Sequence, residues 1–102
     1  MDAQLKKGIL EMCLLQAIGQ ESAYGYDVIQ SLHGFFPDVA ESTFYAVLRR
    51  LHREGMAETF AGPVSKGPAR KYYRLTEAGQ ERLARMKGDW ESLQSVTRAL
   101  GI

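Results

Sequence analysis

The chain has 102 residues, 45% of them hydrophobic, which is enough for one compact core and too little for two independent domains. Its single cysteine, Cys13, excludes an internal disulfide and a thiolate metal site, and its neighbours Met12, Leu14 and Leu15 mark it as a small core residue with an inert thiol. The net charge of +1 conceals an asymmetry: Thr43 to Arg74 carries seven basic and two acidic residues, so that segment stands at +5 and the rest at −4. A localised basic patch suits a phosphate-rich partner, although a merely solvated basic face would look the same on charge alone.

The first helix is predicted from Ala3 to Ile18, ended by Gly19. No basic segment followed by an apolar stretch and a cleavage site opens the chain. Lys6, Lys7 and Glu11 interrupt this helix before it could span a bilayer, so a cytoplasmic protein without a membrane partner is expected. Leu5, Ile9, Leu10, Met12, Cys13, Leu14, Leu15, Ala17 and Ile18 leave its second half almost without a polar face. Such a helix must be covered on more than one side, which points to a second subunit as well as to its own domain.

Ser22 is the expected cap of a second helix from Ala23 to His33, with Val28, Ile29 and Leu32 at core spacing and Gly34 as its stop. A turn through Phe35, Phe36, Pro37 and Asp38 leads to a third helix from Glu41 to Glu54, ended by Gly55. Phe44, Val47, Leu48 and Leu51 form its buried stripe. The opposite side presents Ser42, Thr43, Tyr45, Ala46, Arg49, Arg50 and Arg53. Small hydroxyl residues at the amino end permit close approach to a duplex, and the arginines can grip phosphate or read guanine edges.

Met56 to Ala61 and Arg70 to Leu75 are predicted strands of a hairpin whose connection, Gly62 to Ala69, holds two glycines and two prolines. Lys66, Arg70 and Lys71 bring positive charge to its tip and base, as in the wing of a winged helix domain, which would lie along a DNA backbone or in the minor groove. Tyr72 and Tyr73 alternate across the second strand, so one is expected to face inward and the other outward.

Thr76 caps the last helix, with Glu77 in its first turn. Leu83, Met86, Trp90, Leu93, Thr97 and Leu100 recur at alternating gaps of three and four, the spacing of a helix that lies along another helix. Either the seam packs on the chain's own domain or it joins two subunits; the candidate dimerisation residues are Leu5, Ile9, Met12, Leu83, Met86, Trp90, Leu93 and Leu100.

Tyr24-Gly25-Tyr26-Asp27, Thr43-Phe44-Tyr45, Leu48-Arg49-Arg50-Leu51, Glu54-Gly55 and above all Arg70-Lys71-Tyr72-Tyr73-Arg74-Leu75-Thr76 with Gly79 resemble the signature of PadR-type regulators over about Leu10 to Trp90. Ala46 and Ser42 stand where a proline and a glycine are common in that signature, and Gly67-Pro68-Ala69-Arg70 replaces a tighter wing turn. The resemblance implies a mostly α fold with a small β-hairpin. Residues 1–76 would form a winged helix-turn-helix that includes the N-terminal helix, and 77–102 a C-terminal dimerisation helix. It further implies a homodimeric repressor that binds double-stranded DNA at an inverted repeat, with half-sites about one helical turn or ~34 Å apart. Ser42, Thr43 and Tyr45 take the DNA-facing role by resemblance, and Arg49 is the expected further contact. Tyr24, Arg53, Lys66, Arg70 and Lys71 complete the candidate DNA-binding set.

Short relatives that the chain resembles use an aromatic residue on the seam to line a cavity between subunits. Trp90, with Met86 and Asp89 beside it, is accordingly either a stacking surface for a small planar hydrophobic or cationic effector or a filler of the interface. No catalytic constellation is present: His33 and His52 are separated by a helix and a turn, and no phosphate loop or serine elbow occurs, so neither an enzyme, a metal site nor a cofactor is expected. The rival from another class is a winged helix used as a protein-interaction module, which should show apolar anchors on the outer face of the third helix.

Overall fold

In the computed structural model, which describes residues 1–62 and 70–102, the elements run α1 (Ala3–Gln20), β1 (Ala23–Tyr24), α2 (Gly25–Phe35), α3 (Glu41–Arg53), β2 (Ala57–Ala61), β3 (Lys71–Leu75) and α4 (Glu77–Ala99). Leu10, Leu14, Leu15 and Ile18 of α1 meet Val28, Ile29 and Leu32 of α2 and Phe44, Leu48 and Leu51 of α3 in one core. Val39, Ala57, Tyr73 and Leu83 close it. Each fully buried Leu, Ile or Phe contributes about 1.5–3 kcal/mol from water exclusion, so this apolar set is what holds α3 in place.

Four local expectations change. Helix α1 runs past Gly19 to Gln20, and Gly19 lacks the left-handed conformation of a helix stop. Its missing side chain instead makes room for β3, because a Cβ there would lie 2.9 Å from Leu75 Cδ1. Ser22 caps nothing: Ala23 and Tyr24 form a strand, and α2 starts at Gly25 with Tyr24 before it. Gly34 lies inside α2, which ends at Phe35. The hairpin is therefore part of a three-stranded antiparallel sheet of order β1-β3-β2, with Tyr24 opposite Tyr72 and Thr59 opposite Tyr73. Gly25 is needed at the strand-to-helix junction, since a Cβ would press into the Tyr73 ring at 2.8 Å.

Two capped ends frame the unit. Asp2 accepts from the backbone N–H of Gln4 and Leu5 at the start of α1. Thr76 does the same for Gly79 at 3.1 Å and donates its own hydroxyl to the Gly55 carbonyl at 2.6 Å, tying the end of α3 to the start of α4. Gly55 takes φ 79° to turn the chain out of α3, and a Cβ on Gly79 would overlap the Met56 carbonyl oxygen. Helix α4 then runs antiparallel beside α1 and on past its start, and its 23 residues span about 34 Å.

Candidate nucleic-acid interface

Helices α2 and α3 make a helix-turn-helix whose second member turns a polar face outward. Ser42, Thr43, Ala46, Arg49 and Arg53 are exposed and Tyr45 is half-buried, while Phe44, Leu48 and Leu51 face the core. No apolar anchor stands on that outer face. Arg50 does not belong to it: its guanidinium turns back to Glu11 at 2.7 Å and Glu54 at 3.0 Å. The Tyr45 hydroxyl is held above its ordinary pKa by burial first and then by the neighbouring Glu41, Tyr24 and Tyr26.

The starts of α2 and α3 differ from those of α1 and α4. Neither Tyr24 nor Ala40 offers a side-chain cap; in α3 the Thr43 N–H bonds to the Ala40 carbonyl at 3.0 Å, which leaves the Glu41 and Ser42 amides ahead of it without a side-chain acceptor among the described residues. An open helix start carries partial positive charge and donors aimed along the axis, which suits a phosphate oxygen.

Between α3 and the base of the wing lies a groove of about 260 Å³ lined by Tyr24, Tyr26, Tyr45, Arg70 and Lys71, with Tyr73 beneath. The sheet builds its rim. Tyr24, Tyr72 and Phe60 stand in register across the three strands, with ring centroids 5.8 and 5.7 Å apart, and Tyr26 continues the row 5.9 Å from Tyr24. Arg70 lies over Tyr24 and Arg74 over Phe60, the latter also paired with Glu58. Tyr73, the inward member of the strand pair, is buried, and burial pushes its phenol up despite Arg49 nearby. The structure thus brings together Tyr24, Tyr45, Arg70 and Lys71 and leaves Ser42, Thr43, Arg49 and Arg53 along the same helix. Lys66 lies outside the described residues.

A second surface lies on the helical arms. Trp90, 39% exposed, lines with Met12 two grooves, one between α1 and α4 and the other between α1, α2 and α4. The smaller, about 260 Å³, brings Met86, Asp89 and Leu93 against Leu5, Ile9 and Met12. The larger, about 600 Å³, adds Cys13, Gln16, Phe35, Phe36 and Lys87. Burial pushes the Cys13 thiol up, as its apolar neighbours require. Leu83 is already buried in the protomer's own core and has little surface left for a partner. Further along α4, Leu93, Val96 and Leu100 are exposed, whereas the Thr97 hydroxyl turns back to the Gln94 carbonyl at 2.9 Å. Val96 therefore joins the strip where the heptad reading had Thr97. Its offset of three from Leu93 and four from Leu100 was the available signal.

Other residues escaped sequence reasoning. Tyr26 sat in the motif without a role, and Phe35 and Phe36 read as turn residues. Glu11 and Arg82 meet Arg50 and Glu54 only through the fold. Among the described residues, no helix is long and apolar enough to cross a membrane.

Residues 14–85 match the transcriptional regulator PadR-like family. The fold is similar to that of a Streptococcus transcriptional regulator, at 33% identity and a TM-score of 0.87 over 99% of this chain and 100% of that one. It is also similar to a PadR-like transcriptional regulator from Bacillus cereus, at 36% identity and a TM-score of 0.85 over 96% of each chain. A protein of Lysinibacillus sphaericus described as uncharacterized is 31% identical over 93 residues, 88% of this chain and 85% of its own length.

Proposed function

The chain belongs to the PadR-like family of transcriptional regulators and is a DNA-binding regulator; from that premise we propose that it works as a homodimeric repressor on an inverted-repeat operator and responds to a small planar effector. The observation that carries the proposal is the apolar strip of Trp90, Leu93, Val96 and Leu100 on α4, continued by Leu5 on α1, which one protomer leaves in water. Leu100 is 71% exposed, and a row of this kind on an extended helix is the surface that a second copy of the same helix covers. Residues 77–102 then serve as the dimerisation arm of a DNA-binding unit formed by 1–76.

A two-fold axis through the arms presents two α3 helices to successive turns of one duplex, so the operator repeats in inverted sense about one helical turn apart. Ser42, Thr43, Tyr45 and Arg49 read bases and nearby phosphates, Arg53 supports them, and Tyr24, Arg70 and Lys71 grip the backbone. Repression follows when such a dimer occupies a promoter and blocks polymerase. The effector enters beside Trp90, where the grooves of two protomers meet, and stacks on the indoles with Met86 beneath and Asp89 at the rim. The polar outer face of α3 speaks against the protein-interaction reading, which requires apolar anchors there.

Sedimentation and footprinting together test the proposal. The expected result is a particle of twice the 11.4 kDa chain mass that protects an inverted repeat, with affinity falling steeply as salt rises. A monomer in solution, or protection of a single asymmetric half-site, would overturn it.

A further inference from the structure

Glu11, Arg50, Glu54 and Arg82 form a closed ring of alternating charge drawn from three elements. Arg50 of α3 donates to the Glu11 carboxylate on α1 at 2.7 Å and to Glu54, just past the end of α3, at 3.0 Å. Arg82 of α4 donates to the same Glu54 oxygen at 3.1 Å and lies 3.7 Å from Glu11. Glu11 is the least exposed member, its side chain retaining 14% of its accessible surface. The hydrogen bond from Arg50 to Glu11 is also the main reason the guanidinium is held above its ordinary pKa. Among the described residues, these are the ion pairs that join α4 to α1 and α3.

The ring acts at a second point of attachment. Thr76 already binds the end of α3 to the start of α4 through the Gly55 carbonyl, but one point leaves an angle free. Arg82 lies six residues further along α4, about 9 Å at 1.5 Å per residue. Two points that far apart define a direction. Apolar packing between helices is non-directional and tolerates small rotations, whereas charge-assisted hydrogen bonds from a planar guanidinium do not. With Arg50, Arg82 and Glu54 each about a third exposed, solvent screens the ring and keeps its contribution to global stability small. Its geometric effect is another matter, because a small change of angle is magnified along a helix of this length.

We propose that this ring holds the recognition helix α3 at a set angle to the α1–α4 arm, and so makes Glu11 and Arg82 the positioning residues that decide which half-site spacing the dimer accepts. The proposal rests on the dimeric, operator-binding reading above. Neither residue touches DNA in it; they act through Arg50 and Glu54. The partner selected is thus a duplex whose two half-sites are separated by one spacer length, with neighbouring lengths rejected.

The experiment uses the full chain and a duplex selected by it from random sequence, with the central spacer then lengthened or shortened by one or two base pairs. Wild-type protein is expected to lose about tenfold or more in affinity per base pair of spacer change, while Glu11→Gln and Arg82→Gln, each shown folded by thermal melting, lose less than about threefold. Binding to random duplex should be the same for all three proteins. Retained spacing discrimination in both variants, with or without a uniform fall in affinity, would overturn the proposal and leave the ring a stabilising feature. If wild-type protein selected no duplex, or bound as a monomer, the operator-binding reading would fall and the ring's role with it; selection followed by intact discrimination in the variants sinks the ring alone. Should Glu11→Gln fail to fold, Arg82→Gln, at a more exposed position, carries the same readout.

Discussion

The guanidinium of Arg70 lies over the Tyr24 ring at 5.0 Å from its centroid, which connects the base of the wing to the strand that leads into α2. The two residues are 46 positions apart in the chain and meet because β1 pairs with β3. A cation placed on an aromatic face is held in one region of space without losing its outward-facing donors, so in the proposed complex Tyr24 would hold Arg70 ready for a phosphate.

Tyr24→Leu should therefore weaken DNA binding by about two- to fivefold, the equivalent of an exposed cation–π contact of ~0.5–1 kcal/mol. Tyr24→Phe keeps the ring and should retain Arg70's share of the affinity. Fluorescence anisotropy with a labelled duplex measures both, and an equal loss in the two variants would assign the effect to the hydroxyl instead.

Reading and gripping should separate along the interface. Arg49→Ala and Tyr45→Ala are expected to lower operator affinity by about 1–3 kcal/mol and to change binding to random duplex far less. Lys71→Ala, on the exposed wing base, should weaken both by similar factors and reduce the dependence on salt by about one phosphate's share. Competition titrations at several salt concentrations distinguish the two patterns; identical losses on both duplexes for Arg49→Ala would remove base reading from that residue.

Trp90 is the chain's single tryptophan, so its fluorescence reports its own surroundings. A planar cationic dye should quench it saturably near one molecule per dimer and shift operator affinity, since a ligand alters DNA binding only if it favours one arrangement of the two α3 helices over the other. Trp90→Ala should abolish most of the quenching-independent dye binding, read by dye polarisation, while leaving a dimer. Dissociation to monomers in that variant would make Trp90 an interface filler, and unchanged dye binding would move the effector elsewhere.

Two glycines of α4 should respond in opposite directions to the same change. A Cβ on Gly88 meets nothing within 4 Å, so Gly88→Ala should raise stability by about 0.5–1 kcal/mol through helix propensity alone. On Gly79 it would overlap the Met56 carbonyl oxygen, and Gly79→Ala should cost ~1–3 kcal/mol by forcing α4 away from the end of α3. Thermal melting followed by circular dichroism reads both; a destabilising Gly88→Ala would show that something closes on that side of α4 in the assembled protein.

Much of this molecule was legible along the chain because its determinants are local. The apolar period of three and four residues marked α2, α3 and α4, Thr76 announced its cap, and the alternation of Tyr72 and Tyr73 put one ring inside. The Arg-Lys-Tyr-Tyr run and its companion motifs carried the family. Each of these signals needs only neighbours within a helical turn or a strand, where covalent geometry already dictates which side chains share a face.

The tertiary structure decided what depends on distant pairs. Ala23 and Tyr24 are too short a run to show any period, and they become a strand only because β3 supplies hydrogen-bond partners at Tyr72 and Tyr73. Gly19 looked like a helix stop until Leu75 proved to need its space. Arg50 carried the same charge and helical position as a DNA contact, yet Glu11, 39 residues earlier, took it for the ring. A side chain's chemistry is written in the sequence, but its partner is chosen by whichever opposite charge, backbone or ring the packed core brings within about 3 Å, and that choice exists only once the chain has folded.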